Sequence, residues 1–183
     1  MMSKSLIKGS LLGGLVLFVW SSLSWTVIPW HEATLSKFTS DEAISKAILD
    51  AAPEKGIYYL PSQGTEEELW KKMETGPVAF LAIRPGAQNL GMGPLMGIQF
   101  LIQLMTSFLL TWLLLQTRAD LSYLKRVMFV AIAAFMAGVM VHLPNWNWWE
   151  FSNAYTAVNM IDLFVNGLFA GLVIAKVAPA QAS

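Results

Sequence analysis

The sequence contains no cysteine and no Asn-x-Ser/Thr motif. Without cysteine the chain cannot form disulfides, thiolate nucleophiles, iron–sulfur clusters or cysteine-bound zinc sites. The absence of both cysteine and a glycosylation acceptor favours a bacterial protein. Much of thiol, redox and metal chemistry is therefore excluded.

Charged residues are also scarce. They make up 13% of the 183 residues, whereas 55% are hydrophobic; an ordinary soluble domain has about 25% charged residues. The formal net charge is zero and no block of Lys or Arg occurs, so the basic surface that nucleic-acid binding requires is missing. The composition predicts a membrane protein with no nucleic-acid partner.

Four apolar stretches are long enough to cross a bilayer, which takes about 20 residues. They cover residues 10–29, 95–116, 127–143 and 155–175. The first could instead be a cleaved signal peptide, because Lys4 and Lys8 precede it and Ser22 and Ser24 resemble a cleavage site. Its apolar run continues through Trp25 and beyond, which favours a retained membrane anchor.

The basic residues outside these spans predict their orientation. Cytoplasmic segments are enriched in Lys and Arg, and these residues precede the first span, separate the second from the third, and follow the fourth: Lys4, Lys8, Arg118, Lys125, Arg126 and Lys176. Residues 30–94 carry nine acidic against six basic side chains. We therefore predict a bacterial inner-membrane protein with both termini in the cytoplasm and residues 30–94 in the periplasm.

Residues 30–94 read as a small folded insert with the order helix, strand, helix, strand. Ser40 or Thr39 can cap the first helix, and Thr65 with Glu68 has the spacing of a capping box before the second. About 60 residues with two short strands cannot bury a large core. We expect the insert to depend on the membrane surface, the Trp-rich loop or a partner.

The predicted fold is an α-helical integral membrane protein with four transmembrane helices and a small α+β extracytoplasmic insert between the first two. Its segments are an N-terminus with the first helix (1–29), the insert (30–94), the second helix (95–116), a cytoplasmic loop (117–126), the third helix (127–143), a Trp-rich outer loop (144–154), the fourth helix (155–175) and a cytoplasmic tail (176–183).

An intramembrane polar cluster is predicted between the second and fourth spans. Asn159, Asp162 and Asn166 share one face of a helix, and Gln99 and Gln103 share another. No Lys or Arg lies within a span, so Asp162 must be protonated, bonded to these amides, wetted or matched by a charge from elsewhere. The cluster either joins the two helices or lines a path for a proton, ion or solute.

Both histidines, His31 and His142, are predicted at the outer interface. They could ligate a haem or, with Glu32, Glu150 or methionines, a metal; they could also bind a quinone head group. The alternative is that they are interfacial residues beside Pro and Trp. Aromatic residues at the same level are expected to anchor the protein at the head groups, and Glu150 to cap the fourth span or pair with the insert; the aromatic residues are Trp30, Trp146, Trp148 and Trp149.

No nucleophile with its base, no zinc-protease motif and no P-loop occurs, so no catalytic residues and no enzyme activity are predicted. The first hypothesis is a non-catalytic accessory or assembly subunit that contacts other membrane subunits or further copies of itself. One alternative is a small carrier or channel component that uses Asp162. Another is a haem- or quinone-binding redox protein that uses His31 and His142.

Overall fold

The computed structural model describes residues 2–86, 91–117 and 120–178. The topology prediction also used Arg118 and the C-terminal tail. Arg118 and the tail from residue 179 onward lie outside the described residues. The chain divides into a helical unit, Met1–Leu35 with Leu90–Ser183, and a smaller unit, Ser36–Asn89.

The elements follow one another along the chain in this order: α1 (Met2–Thr26), a 3₁₀ turn (Glu32–Thr34), α2 (Asp41–Ala51), β1 (Gly56–Leu60), α3 (Glu66–Thr75), β2 (Ala79–Ile83), α4 (Met92–Leu115), α5 (Tyr123–Trp149) and α6 (Asn153–Val177). Helices α1, α4, α5 and α6 are each long and apolar enough to cross a membrane. The prediction of four such helices and a small strand-containing segment is confirmed.

Small residues let the long helices approach closely. α1 packs against α4 and α6, and α6 also packs against α5. A Cβ atom added at Gly167 would lie 3.1 Å from Ala131 Cα, and one added at Gly171 would lie 2.8 Å from Val127 O. In the sequence, Gly167 and Gly171 form a GxxxG pattern, which predicts a close contact with another helix; this contact is present, and its partner is α5.

A second close contact, between α1 and α4, was not predicted. Ser107 Oγ donates a hydrogen bond of 3.0 Å to Gly9 O, and a Cβ atom added at Gly9 would lie 2.5 Å from Thr111 Cγ2. Gly9 thus makes room for Thr111, and a Cβ atom added at Gly13 would overlap the Ser107 hydroxyl, so both glycines allow α4 to approach the backbone of α1.

The apolar core occupies one half of the helical unit. It joins α1 to the C-terminal halves of α4 and α6 and the N-terminal half of α5, through Leu17, Leu110, Leu114, Val127, Val130 and Ile174. Polar side chains are concentrated toward the N-terminal half of α6, where Asn159, Asp162 and Asn166 are buried. This half contains the candidate site.

Helix α5 continues beyond its predicted end at residue 143. It contains Pro144 and ends at Trp149, so residues 144–149 of the predicted outer loop 144–154 are helical. Proline has no backbone N–H and so removes one helical hydrogen bond, which is why the sequence pattern suggested that the helix ends before Pro144. The helix nevertheless continues past this residue. The turn into α6 is short and uses the left-handed conformation of Glu150.

The smaller unit has the predicted order of helix, strand, helix, strand. β1 and β2 pair antiparallel, with Gly56 opposite Ile83 and Leu60 opposite Ala79. Ser40 caps α2, and Thr65 with Glu68 forms the predicted capping box at α3. Within described residues 36–86, Ala52 is the only buried side chain. The unit thus has almost no core of its own.

We expect Gly171→Ala to destabilise the helical unit, because the new Cβ atom meets the backbone oxygen of Val127. Overpacking of this kind costs about 1–3 kcal/mol. Gly97→Ala is the matched control, since a Cβ atom there meets nothing within 4 Å. Unfolding by SDS in mixed micelles measures both; equal midpoints for the two variants contradict the close contact.

We also expect Glu68→Ala to speed hydrogen exchange at the start of α3. The Glu68 carboxylate accepts a 2.8 Å bond from the Thr65 backbone N–H, and this bond, with that from the Thr65 side chain, lowers the pKa of Glu68. Because its pKa is lowered, the Glu68 carboxylate stabilises the start of α3 fully at pH values above the ordinary glutamate pKa. This stabilisation is lost as pH falls through the lowered pKa.

The matched control for Glu68 is Glu67→Ala, which removes the same charge from the first turn of α3 but leaves the capping box intact. Mass-spectrometric hydrogen exchange at one near-neutral pH compares the two variants with the unmodified chain. If Glu67→Ala accelerates exchange as much as Glu68→Ala, charge alone explains the effect.

Candidate functional site

The site begins with the polar face of α6. Asn159, Asp162 and Asn166 are 8%, 7% and 7% exposed, and their helical spacing places all three on one side of the helix. Ser152 caps α6 by accepting a bond from the backbone N–H of Tyr155; the predicted cap, Glu150, instead lies at the end of α5.

Asp162 is bound on both carboxylate oxygens. Trp20 Nε1 on α1 donates a 2.7 Å hydrogen bond to Oδ1, and His31 Nε2 lies 3.1 Å from Oδ2. The indole N–H of tryptophan can only donate, so the first bond has a fixed direction. A buried carboxylate needs such partners, because an unpaired charge in an apolar interior is strongly unfavourable.

His31 reaches Asp162 because the chain reverses direction after α1 ends at Thr26. Its ring stacks on Trp25, with centroids 3.9 Å apart and planes inclined by 8°. Ser24 Oγ lies 3.1 Å from His31 Nε2 and accepts a 2.9 Å bond from Trp30 Nε1. The imidazole, only 2% exposed, is thus held between aromatic rings and aimed at Asp162.

Beside this pair lies a cavity of about 440 Å³ in the helical unit. All four long helices contribute to its wall. The polar lining residues are Ser21, Ser22, Thr26, Gln99, Gln103, His142, Asn159, Asp162 and Asn166, and the others are Trp25, Met96 and Leu163. All five residues of the predicted polar cluster therefore face one space.

Two buried polar atoms of lining residues have no hydrogen-bond partner within the described part of the chain: Asn166 Oδ1 and His142 Nδ1. Most buried polar atoms in proteins are paired, and each exception requires an explanation. Both residues line the cavity with other atoms, because these two atoms have almost no accessible surface of their own.

The predicted direct connection between the second and fourth spans differs from the structure. Gln103 Nε2 donates to Ser21 Oγ on α1 at 3.3 Å, and Asn159 Nδ2 donates to the Tyr155 carbonyl of its own helix at 2.8 Å. The amides thus share a cavity with Asp162, whereas its hydrogen-bond partners are Trp20 and His31. Sequence reasoning missed Trp20 and Ser24 because nothing in an apolar helix marks them.

The two histidines occupy different environments. His31 pairs with Asp162, whereas His142 lines the cavity and has its ring centroid 6.5 Å from that of Tyr155. No group of three or more His, Cys, Asp or Glu side chains in residues 2–86, 91–117 and 120–178 could hold a metal ion. Ligation of haem iron by His31 Nε2 would require breaking its contact with Asp162; haem binding remains a prediction.

The tryptophans predicted as anchors differ in exposure. Trp146 and Trp148 are 46% and 75% exposed and Trp149 is 38% exposed, whereas Trp30 is partly buried beside Ser24. Trp146 Nε1 donates a 2.7 Å bond to Asn153 Oδ1, which ties the end of α5 to the start of α6. Anchoring at the head groups remains a prediction for the exposed rings.

Comparison with protein-family models, curated proteins and solved structures finds no significant match for this chain. Function must therefore be inferred from the site itself.

We expect His31→Phe to destabilise the helical unit, because it leaves the Asp162 carboxylate buried with Trp20 as its remaining hydrogen-bond donor. Breaking a buried pair from one side costs about 3–5 kcal/mol.

The double variant His31→Phe with Asp162→Asn is the control, since it removes the charge as well as its partner. It should recover much of the stability lost in the single variant, measured by SDS unfolding in mixed micelles. Simple additivity of the two changes would show that His31 and Asp162 are not coupled.

Proposed function

We propose that this protein is a small multi-pass protein of the bacterial inner membrane that binds a small hydrogen-bonding ligand between its helices, as a carrier or ligand-binding component. The observation that carries the proposal is the cavity of about 440 Å³. Its wall combines a buried carboxylate, Asp162, with four amide side chains, those of Gln99, Gln103, Asn159 and Asn166. Ionisable groups inside membrane-spanning bundles commonly belong to solute or ion sites.

The shape of the cavity supports a ligand rather than a purely structural cluster. Polar groups whose only role is to join helices bond directly to one another. In this unit Asp162 does bond to Trp20 and His31, but within the described residues the side chains of Gln99 and Asn166 form no such bond and line the open space beside it. A pocket with apolar walls and a few convergent polar groups is the usual form of a small-molecule site.

The proposed topology places both termini in the cytoplasm and residues 30–94 in the periplasm. Lys4 and Lys8 lie in the first turns of α1, Lys125 and Arg126 in the first turn of α5, and Lys176 in the last turn of α6. The packing of Gly171 against Val127 brings the last two of these regions to one end of the unit. A shared basic end supports a cytoplasmic location.

The test is a native mass spectrum of the protein extracted gently from its own membrane, with the released small molecules identified separately. We expect a bound small molecule that is lost in Asn166→Leu, which removes the buried amide at similar size. Asn147→Leu, which removes an exposed amide near the end of α5, should retain it. A protein without bound small molecules, or equal retention by both variants, contradicts the proposal.

A second candidate is an accessory or assembly subunit of a larger membrane complex. The observation that favours it is the weak core of residues 36–86, where Ile57 and Trp70 are 63% and 61% exposed while Ala52 alone is buried. Exposed apolar side chains on such a small unit are typical of a surface that a partner covers. The same mass spectrum distinguishes this function, because further polypeptides would add masses far above those of small molecules.

A further inference from the structure

We infer, on the basis of the proposed function, that the ligand of the cavity is a small organic ammonium ion and that its binding displaces one proton from the His31–Asp162 pair. This assignment depends on the charge of the site, on the acceptors in its wall and on the size of the cavity.

The charge of the site follows from its titratable groups. Asp162 on α6, His31 after α1 and His142 on α5 are the titratable side chains that line the cavity or contact the pair; α4 contributes only amide, thioether and apolar groups. No Lys or Arg of the described residues lines the cavity. Asp162 is therefore the only lining residue that can be negatively charged.

The pair has two neutral forms and one negative form. It is neutral when an imidazolium faces a carboxylate and when a neutral imidazole faces a carboxylic acid; it is negative when a neutral imidazole donates its Nε2–H to the carboxylate. Net charge is costly in a low-dielectric interior. An empty site therefore favours a neutral form, with one more proton than the negative form holds.

A bound cation reverses this preference. With a positive ion beside Asp162, the negative form of the pair makes the whole site neutral, and the extra proton is no longer needed. Trp20 Nε1 and His31 Nε2 remain bonded to the carboxylate, so its position need not change. Cation and proton thus compete for one negative charge, and one proton leaves for each cation that binds.

The wall of the cavity favours a ligand with N–H donors. Gln103 and Asn159 line the cavity, and their amide nitrogens already donate within the protein, which leaves their amide oxygens as acceptors. Trp25 stacks with one ring face on His31 and still has 51% of its surface exposed. An aromatic face next to a carboxylate is a favourable environment for an ammonium group.

The size of the cavity and its apolar lining favour an organic cation over a bare inorganic one. A volume of about 440 Å³ is far larger than a single dehydrated metal ion occupies. Met96 and Leu163 supply apolar surface that only a ligand with a hydrocarbon part can cover. An ammonium group joined to a small apolar body uses both the polar and the apolar parts of the wall.

The experiment uses the full-length protein in lipid nanodiscs with methylammonium, ethylammonium and benzylammonium chlorides as probes. Isothermal titration in two buffers of different ionisation enthalpy gives the affinity and the number of protons released. We expect benzylammonium to bind tightest and to release one proton per bound ion at acidic pH. The apparent Kd should rise as pH falls, because protons compete with the cation for the same negative charge.

Three controls accompany the probes. Benzyl alcohol has the shape of benzylammonium without its charge, and its partitioning should release no proton. Sodium chloride tests an inorganic ion. Asp162→Asn keeps the size of the side chain but removes the charge, and it should weaken benzylammonium binding about 100-fold. If this variant fails to fold, the comparison of benzylammonium with benzyl alcohol on the unmodified chain still tests the role of the charge.

The outcomes separate this inference from the proposed function. Absence of binding by all three ammonium ions, or binding without proton release between about pH 5 and about pH 9, overturns the inference. Proton release by sodium alone overturns the assignment to an organic ion. If the mass spectrum finds a neutral molecule such as a quinone that is lost in Asn166→Leu, the proposed function holds and the ammonium ligand is wrong.

Discussion

The organisation of the helical unit depends on the burial of a single carboxylate in an apolar environment. Asp162 lies nine residues into α6 and is 7% exposed, where an unpaired charge would be strongly unfavourable. Helix α1 supplies Trp20, whose indole N–H donates to the carboxylate, and the turn that follows α1 supplies His31, whose Nε2 lies 3.1 Å from Asp162 Oδ2. This requirement explains why the chain reverses direction after α1 and why aromatic rings enclose a histidine that is 2% exposed.

The same constraint connects packing with function. One half of the unit is a close-packed apolar core, in which glycines at the α5–α6 contact admit backbone atoms of the neighbouring helix. The other half leaves a cavity beside Asp162, where lining residues carry polar atoms without partners. The close-packed apolar half can hold the four helices in place around the cavity.

The smaller unit depends on different interactions. Its helices begin at well-formed caps, and its two strands pair in register, so local interactions define its secondary structure. Its two helices contain no buried residues. Local hydrogen bonds can specify such a unit, but a two-stranded sheet with a single buried alanine gains little from hydrophobic burial. A covering surface is therefore expected in the cell.

The sequence by itself determined the four long apolar helices, the order of elements in the insert, the capping box at Thr65 and the close contact at Gly167 and Gly171. These features depend on composition, on period and on residues a few positions apart, which a single sequence displays. Only the tertiary structure decided that α5 continues through Pro144, that α1 supplies Trp20, and that His31 pairs with Asp162 across 131 positions. Pairing between distant residues depends on which helices are neighbours and how each is rotated. Helices that are apolar on most sides carry too weak a periodic signal to specify either.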